Sequence, residues 1–234
     1  MRQAGRSLPE YRAIRGSGSI LDAIKNPRLA ADITIQPVTR YGVDAAVLYS
    51  DIVVPAHAIG FGIDVAPGTG PVAENPLRTR GDVARLRPYE PDLDAPYVGK
   101  TVDILARELS VPILAFAGAP FTIFCYMVEG KGSKTFSQAK KMLYAEPELA
   151  HALLQKITDS TISYLKAQVV AGANLVQIFD SWAGILSPSQ YSVFSTPYLK
   201  QICDAVTEVP VTLFAKGAFF AREEMAALNC ATIG

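Results

Sequence analysis

The sequence predicts an α/β protein in which short buried strands alternate with helices around a parallel sheet. Short apolar runs recur along the chain, longer helical stretches lie between them, and no block of strands is segregated from the helices. Continuous apolar runs are typical of strands that are buried on both faces, and such strands are usually parallel. The regular alternation of strand and helix then indicates right-handed βαβ units.

Five apolar runs are interpreted as the strands of this sheet. They are AVLY at 46–49, PILAFAG at 112–118, LVQIF at 175–179, VTLFA at 211–215 and ATIG at 231–234. Two architectures satisfy the pattern, an open doubly wound sheet and a (β/α)8 barrel.

The stretches between these runs carry helix signals. After Pro147, a pattern of mostly apolar residues recurs every four positions from 149 to 169, and Gly172 is placed to end that helix. Ser187 followed by Pro188 predicts an N-cap and the first residue of another helix. GTGPVA at 68–73 and GKGSKT at 130–135 lack the residues that dinucleotide and phosphate loops require, so both are interpreted as turns.

Length and composition limit the classes of function. The 234 residues suffice for one large core, so we expect a single domain over 1–234. The 22 basic and 22 acidic residues balance, which disfavours nucleic acid or a membrane surface as a partner. No apolar run approaches the roughly 18 residues of a membrane span. Three widely spaced cysteines suit reduced thiols, hence a cytoplasmic location, or a plastid if a transit peptide preceded this sequence.

Polar residues follow four of the predicted strands. They are Tyr49-Ser50-Asp51, then Tyr126 and Glu129 beyond Gly118-Ala119-Pro120, then Asp180-Ser181-Trp182, and finally Lys216. Ligands of parallel α/β folds bind beyond the carboxyl ends of the strands. The sequence therefore predicts a binding site that draws on these residues.

Several of these residues have a structural alternative. Asp51 is either a helix N-cap or an acceptor aimed into a pocket, available to N–H donors or a cation. Asp180 and Ser181 are either caps or functional groups, and Tyr126 is either a core aromatic or a site residue.

Two arginines at the start of the sequence are four residues apart. Arg2 and Arg6 would share one side of a helical turn and could clamp a carboxylate or phosphate, or they are two solvated surface charges. The two histidines form no metal or triad pattern, and His151 is expected to face solvent from a helix. No His and Cys cluster has zinc spacing, so no metal site is predicted.

Four stretches of the sequence resemble the uroporphyrinogen decarboxylase family. They are MRQAGRSLPEYR at 1–12, YSDIVVPAHAIG at 49–60, GAPFTIFCYMVEGKGS at 118–133 and QVVAGANLVQIFDSWAGILSP at 168–188. The resemblance implies a (β/α)8 barrel. The implied activity removes carbon dioxide from the four acetate side chains of uroporphyrinogen III, giving coproporphyrinogen III in haem and chlorophyll biosynthesis. It also implies that no metal or organic cofactor takes part.

The resemblance also implies a set of site residues. Asp51 corresponds to the aspartate that takes the pyrrole N–H groups and stabilises a cationic ring. Arg2 and Arg6 correspond to arginines that bind the carboxylates at the rim, with Arg2 considered as the proton donor. Tyr126 and Ser181 correspond to hydroxyl residues near the acetate under attack. The catalytic set is then Asp51, Arg2 and Tyr126, and the substrate-binding set adds Arg6, Ser181, and Gln3 and Ala4, which shape the arginine turn.

The sequence departs from the family in length. Members of the family are longer, so we expect an incomplete barrel, with the first strand partial and the last two or three βα units missing. Family members are commonly homodimers, which we expect of the full-length enzyme. Two alternatives stay open: a cobalamin-linked methyltransferase of the same fold, and a non-catalytic tetrapyrrole-binding fragment.

Overall fold

The structure is a computed structural model that describes residue 6, residues 8–66 without the Ala66 side chain, and residues 69–234. Over this part of the chain the strands are β1 (Ala46–Val47), β2 (Ile63–Ala66), β3 (Gly70–Ala73), β4 (Ile113–Gly118), β5 (Leu175–Asp180), β6 (Val211–Ala215) and β7 (Thr232–Ile233). The helices are α1 (Pro9–Arg15), α2 (Ile20–Ile24), α3 (Pro27–Tyr41), α4 (Val54–Ala58), α5 (Arg80–Ala84), α6 (Pro91–Asp94), α7 (Pro96–Glu108), α8 (Pro120–Glu129), α9 (Ser137–Ala145), α10 (Pro147–Val170), α11 (Pro188–Phe194), α12 (Thr196–Ala205) and α13 (Arg222–Ala226).

The main sheet contains all five strands that the apolar runs predict. Its order is β1-β4-β5-β6-β7, and every neighbouring pair is parallel. The predicted α/β fold with a parallel sheet is therefore confirmed. Across the described residues the sheet does not close into a barrel, as predicted, because β1 and β7 each pair on one side only. The prediction of a partial first strand concerns residues outside the described ones.

A small hairpin was not predicted. Strands β2 and β3 pair antiparallel, with Asp64 opposite Val72. The interpretation of GTGPVA as a turn throughout is therefore wrong for residues 70–73, where Gly70, at a φ of 86°, leads into β3. GKGSKT does begin as a turn, because Gly130 ends α8 in the left-handed region with a φ of 90°.

The helix predicted after Pro147 is α10, and its periodic residues cover the sheet. Leu149, Leu153 and Leu165 are buried, and Gly172, at a φ of 118°, turns the chain towards β5. Helix α11 begins as predicted: the Ser187 side chain accepts the backbone N–H of Gln190, and the Gln190 side chain accepts that of Ser187.

The core lies between the sheet and its helices. All six residues of β4 are buried, and buried apolar side chains from both halves of the chain join one contiguous cluster. This supports one domain over 1–234, which stays a prediction. Cys125 and Cys203 are buried, Cys230 is half-buried, and all three thiols are free. Within the described ranges, no helix is long and apolar enough to cross a membrane.

Candidate functional site

The candidate site lies at the carboxyl ends of β1, β4 and β5. These three strands are consecutive neighbours in the sheet and run parallel, so the segments that follow them meet at one edge. Asp51 follows β1, Tyr126 lies on α8 beyond β4, and Ser181 comes directly after β5. Of the residues that the sequence predicts for a site, Asp51 and Tyr126 lie within electrostatic reach of each other, and Ser181 follows the neighbouring strand at the same edge.

Asp51 lies in the turn between β1 and α4. It is half-buried, and its Oδ1 accepts a hydrogen bond from the backbone nitrogen of Val53 at 3.2 Å. Helix α4 takes Val53 as its N-cap residue, so the N-cap alternative for Asp51 is wrong. Burial raises the pKa of the Asp51 carboxyl, while the Val53 N–H and the positive charge of Arg6 oppose that rise.

Arg6 lies on the same side as Asp51. Its guanidinium carbon is 5.8 Å from the centroid of the Tyr49 ring, within the range of a cation–π contact. The Tyr49 hydroxyl is in turn 3.3 Å from the Tyr11 hydroxyl. Arg6 is exposed, yet its charge acts on both Asp51 and Tyr49. Arg2, Gln3 and Ala4 lie outside the described residues.

Tyr126 is buried on α8 and packs edge-on against Trp182, with ring centroids 6.1 Å apart and planes at 72°. Burial raises the pKa of Tyr126, the nearby Trp182 opposes the rise, and the negative charge of Asp51 adds to it. Tyr126 is thus a core aromatic that also lies within the electrostatic reach of Asp51. Ser181 is half-buried in the turn that also carries Trp182.

The contacts of Asp180 are not predicted by the sequence. It is fully buried, and it accepts hydrogen bonds from the Thr122 Oγ1 at 2.7 Å and from the Ser195 Oγ at 2.8 Å. Burial raises its pKa to about 6, against the two hydroxyl donors that stabilise the charged form. The carboxylate caps none of the described helices, so of its two alternatives the cap is wrong. Sequence reasoning missed Thr122 and Ser195, because neither lies near Asp180 along the chain.

Two close approaches hold the strand ends together. A Cβ on Gly118, the last residue of β4, would lie 2.5 Å from the Ile123 side chain and 3.2 Å from the Cβ of Ile52. A Cβ on Gly184 would lie 2.8 Å from the carbonyl oxygen of Lys216. Glycine at these positions lets the turns after β1, β4, β5 and β6 pack directly on one another.

The remaining strand-end and histidine residues have other roles. Glu129 accepts the backbone N–H groups of Gln138 and Ala139 at the start of α9, so its contacts are structural. His151 does not face solvent as expected: it is half-buried, and its Nδ1 lies 2.6 Å from the Tyr198 hydroxyl. No group of three potential metal ligands occurs among the described residues.

The fold and the site define an α/β protein with a carboxyl group, an arginine and a buried hydroxyl at the carboxyl edge of a five-stranded parallel sheet. The family model for uroporphyrinogen decarboxylase (URO-D) matches residues 1–234, and the chain belongs to that family.

Relatives agree with this assignment, and a solved structure shares the fold. Proteins named uroporphyrinogen decarboxylase from Trichlorobacter lovleyi and Geotalea daltonii are each 50% identical over 222 residues, which is 93% of this chain and 65% of theirs. One from Carboxydothermus hydrogenoformans is 47% identical over 238 residues, 100% of this chain and 68% of its own. The chain thus spans about two thirds of these relatives. A methyltransferase from Methanosarcina mazei matches with a TM-score of 0.79 at 20% identity, covering 96% of this chain and 66% of that one. That likeness concerns the fold alone.

Proposed function

We propose that this chain catalyses the decarboxylation of uroporphyrinogen III to coproporphyrinogen III. The observation that carries the proposal is the half-buried Asp51 carboxylate at the end of β1, with Arg6 and Tyr126 within its electrostatic reach. Relatives that share half of its residues bear the name of this activity.

The substrate has chemistry that complements such a site. Four pyrrole N–H groups at the centre of the macrocycle need one acceptor, and eight carboxylates around the rim need cations and hydroxyl donors. Burial raises the pKa of Asp51, and the Val53 N–H and Arg6 oppose that rise. In the proposal these groups help to keep the carboxylate charged in a partly dry position, where a charge acts more strongly than in water. In the proposal its carboxylate accepts the pyrrole N–H groups.

The same charge would stabilise the reacting ring. Protonation of a pyrrole carbon next to the acetate makes the ring cationic. The bond to the carboxylate then breaks, carbon dioxide leaves, and the electron pair neutralises the ring. The freed CH2 carbon takes up a proton to become a methyl group, and the ring carbon releases its own. Asp51 is placed before the reaction to stabilise the cation, so the ring itself serves as the electron sink.

In the proposal the other site residues bind the carboxylates at the rim of the substrate. Arg6 offers a planar set of donors suited to a carboxylate, and Arg2 belongs to the same proposed clamp. Arginine is a poor acid at neutral pH, so we assign Arg2 to pairing with a carboxylate rather than to proton donation. Burial raises the pKa of Tyr126, so its hydroxyl keeps its proton at neutral pH and can donate to an acetate. Ser181 precedes Trp182, which packs against Tyr126, and in the proposal it supplies a second hydroxyl.

An assay of the chain and of one chimera tests the activity. Uroporphyrinogen is incubated under anaerobic conditions with the 234-residue chain, and with the Trichlorobacter lovleyi protein in which this chain replaces the matching segment. Stepwise appearance of hepta-, hexa- and pentacarboxylate products is expected at least from the chimera. If the chimera folds and forms none of them, the decarboxylase proposal fails. Binding without turnover would favour the non-catalytic alternative.

We also propose that the working form is a homodimer, as the resemblance to the family implies, and that it lies in the cytoplasm. The matched relatives come from bacteria, and the three cysteines are unpaired, which suits a reducing compartment. Light scattering of the chimera at several concentrations would measure the subunit number, and a monomer at all of them would contradict the dimer.

A further inference from the structure

The fully buried Asp180 carboxylate has no part in the proposed reaction. It ends β5 and holds two hydroxyls from elements distant in sequence, Thr122 on α8 and Ser195 between α11 and α12. Burying a carboxylate is costly unless hydrogen bonds offset the lost hydration. The two donors supply that compensation and join three segments at the carboxyl edge of the sheet.

The Thr122 hydroxyl connects Asp180 to the Ser181–Trp182 turn of the candidate site. It donates to Asp180 at 2.7 Å and accepts the backbone N–H of Trp182 at 3.1 Å. A hydroxyl has one proton, so while that proton faces the carboxylate, a lone pair is free for the Trp182 N–H. The charge on Asp180 therefore sets the orientation of the Thr122 hydroxyl, and that hydroxyl holds the turn after β5.

The turn and the helix both carry predicted site residues. Thr122 and Tyr126 are four residues apart on α8, hence on one face of the helix. The Trp182 ring packs edge-on against Tyr126 and lies 4.6 Å from the Phe136 ring centroid. Ser181 is the residue between Asp180 and Trp182. A shift of this turn against α8 would thus displace Ser181 and disturb the packing around Tyr126.

We propose that Asp180 is a positioning residue, whose carboxylate fixes the Ser181–Trp182 turn against α8 and so sets Ser181 and Tyr126 in place beside Asp51. The catalytic side of this inference rests on the proposed function, whereas the structural side does not. Protonated Asp180 would have to donate through one oxygen, so one of its two hydroxyl contacts would rearrange. The turn should then respond to the protonation of Asp180.

Two neighbouring groups keep their protons over the relevant range. Cys125 on α8 and Tyr191 on α11 both sense the charge of Asp180, but burial raises the pKa of each above its usual value. Both stay neutral between pH 4.5 and 8. Lys216 faces Asp180 through its backbone, whose N–H donates to the Asp180 carbonyl at 3.1 Å, while its side chain is exposed.

Three other groups need controls. His151 on α10 stacks on Phe194, the residue before Ser195, with ring centroids 4.9 Å apart. Asp51 acts on Tyr126 from the β1 side. Glu129 ends the same helix as Thr122. The variants Asp51→Asn, His151→Gln and Glu129→Gln are the controls for these three residues.

Trp182 makes the test direct, because it is the chain's single tryptophan. Its emission is recorded between pH 4.5 and 8 without any substrate. We expect a sigmoidal change in the unmodified chain that is lost in Asp180→Asn and retained in the three control variants. Persistence of the transition in a folded Asp180→Asn variant would overturn the proposal. So would its loss in a control variant alone.

A second pair of variants covers the case in which Asp180→Asn does not fold. Thr122→Val removes the relay at constant shape and should abolish the transition, whereas Thr122→Ser keeps the hydroxyl and should restore it. Equal titrations of the Val and Ser variants would overturn the proposal.

The chimera supplies the catalytic side of the test. A misplacement of about 1 Å can cost about 100-fold in rate, so kcat should fall about 10-fold to 100-fold in Thr122→Val, with KM little changed and Thr122→Ser close to the parent. An unchanged kcat would overturn the positioning role and leave the proposed function standing. If every chimera is inactive, the proposed function fails, while the Trp182 titration still decides whether Asp180 holds the turn.

Discussion

Asp51 and Asp180 both carry carboxyl groups at the carboxyl ends of strands, on one edge of the sheet, but their surroundings separate their roles. Asp180 is fully enclosed and its contacts are with two hydroxyls of the protein. Asp51 is only half-buried and lies beside an exposed arginine. A ligand can therefore reach Asp51, whereas Asp180 can act on a ligand only through the residues that it holds.

Replacement of Asp51 tests this distinction. Asp51→Asn keeps the size of the side chain and removes the charge that would stabilise a cationic ring, so we expect kcat of the chimera to fall by about 100-fold or more. Asp44→Asn is the matched control, because Asp44 is exposed and precedes the same strand at its amino end. The control should retain full activity. Asp180→Asn should lose less than Asp51→Asn, and equal losses in the two would refute a central acceptor at Asp51.

Arg6 should contribute to binding more than to the chemical step. Arg6→Ala removes a cation that acts on Asp51 and would pair with a rim carboxylate, so we expect KM to rise about 10-fold with a smaller change in kcat. Arg6→Lys keeps the charge without the planar donors, so its KM should lie between those of the parent chimera and Arg6→Ala. Arg40→Ala, on the exposed end of α3, is the control. An unchanged KM in Arg6→Ala would show that Arg6 is a surface residue.

At the scale of elements, the sequence predicted the main sheet well because its signals are local. Each strand is an apolar run, and α10 repeats its buried positions every four residues up to Gly172. The β2–β3 hairpin was missed because its second strand contains Gly70 and Pro71, which are typical of turns, and only pairing with β2 makes it a strand.

The candidate site was predicted in part, for the same reason. Strand-end positions and the family motifs indicated Asp51, Tyr126 and Ser181. The contacts of Asp180 could not be predicted, since they join residues 58 and 15 positions apart. Ser195, in the sequence Ser-Thr-Pro, is typical of a helix N-cap, yet its side chain makes no cap hydrogen bond and turns to Asp180 instead. The Ser195 hydroxyl could cap a helix or bond another side chain, and the tertiary contact with Asp180 determines which of the two occurs.

At the scale of the whole molecule, burial of Asp180 should make stability depend on pH. Its pKa is raised from 3.8 to about 6 in the folded chain, so between these values the folded state binds the proton more tightly than the unfolded state does. The contribution of Asp180 to stability should therefore be greater at pH 4 than at pH 7, and it should decrease as pH rises through this window. Across the whole window, from well below the lower pKa to well above the upper one, the difference for this one group approaches about 3 kcal/mol.

Urea denaturation followed by Trp182 emission can isolate this contribution. Asparagine resembles the neutral acid, so the stability of Asp180→Asn relative to the parent chain should increase between pH 4 and pH 7.5. Near neutral pH the variant should be the more stable of the two, although it should be the poorer catalyst in the chimera. A buried charge kept for positioning costs stability in this way. Asp44→Asn should show no such trend, because Asp44 is exposed. If the difference in free energy of unfolding between Asp180→Asn and the parent stays constant across this range, Asp180 does not have a raised pKa. Its buried charge then does not destabilise the fold.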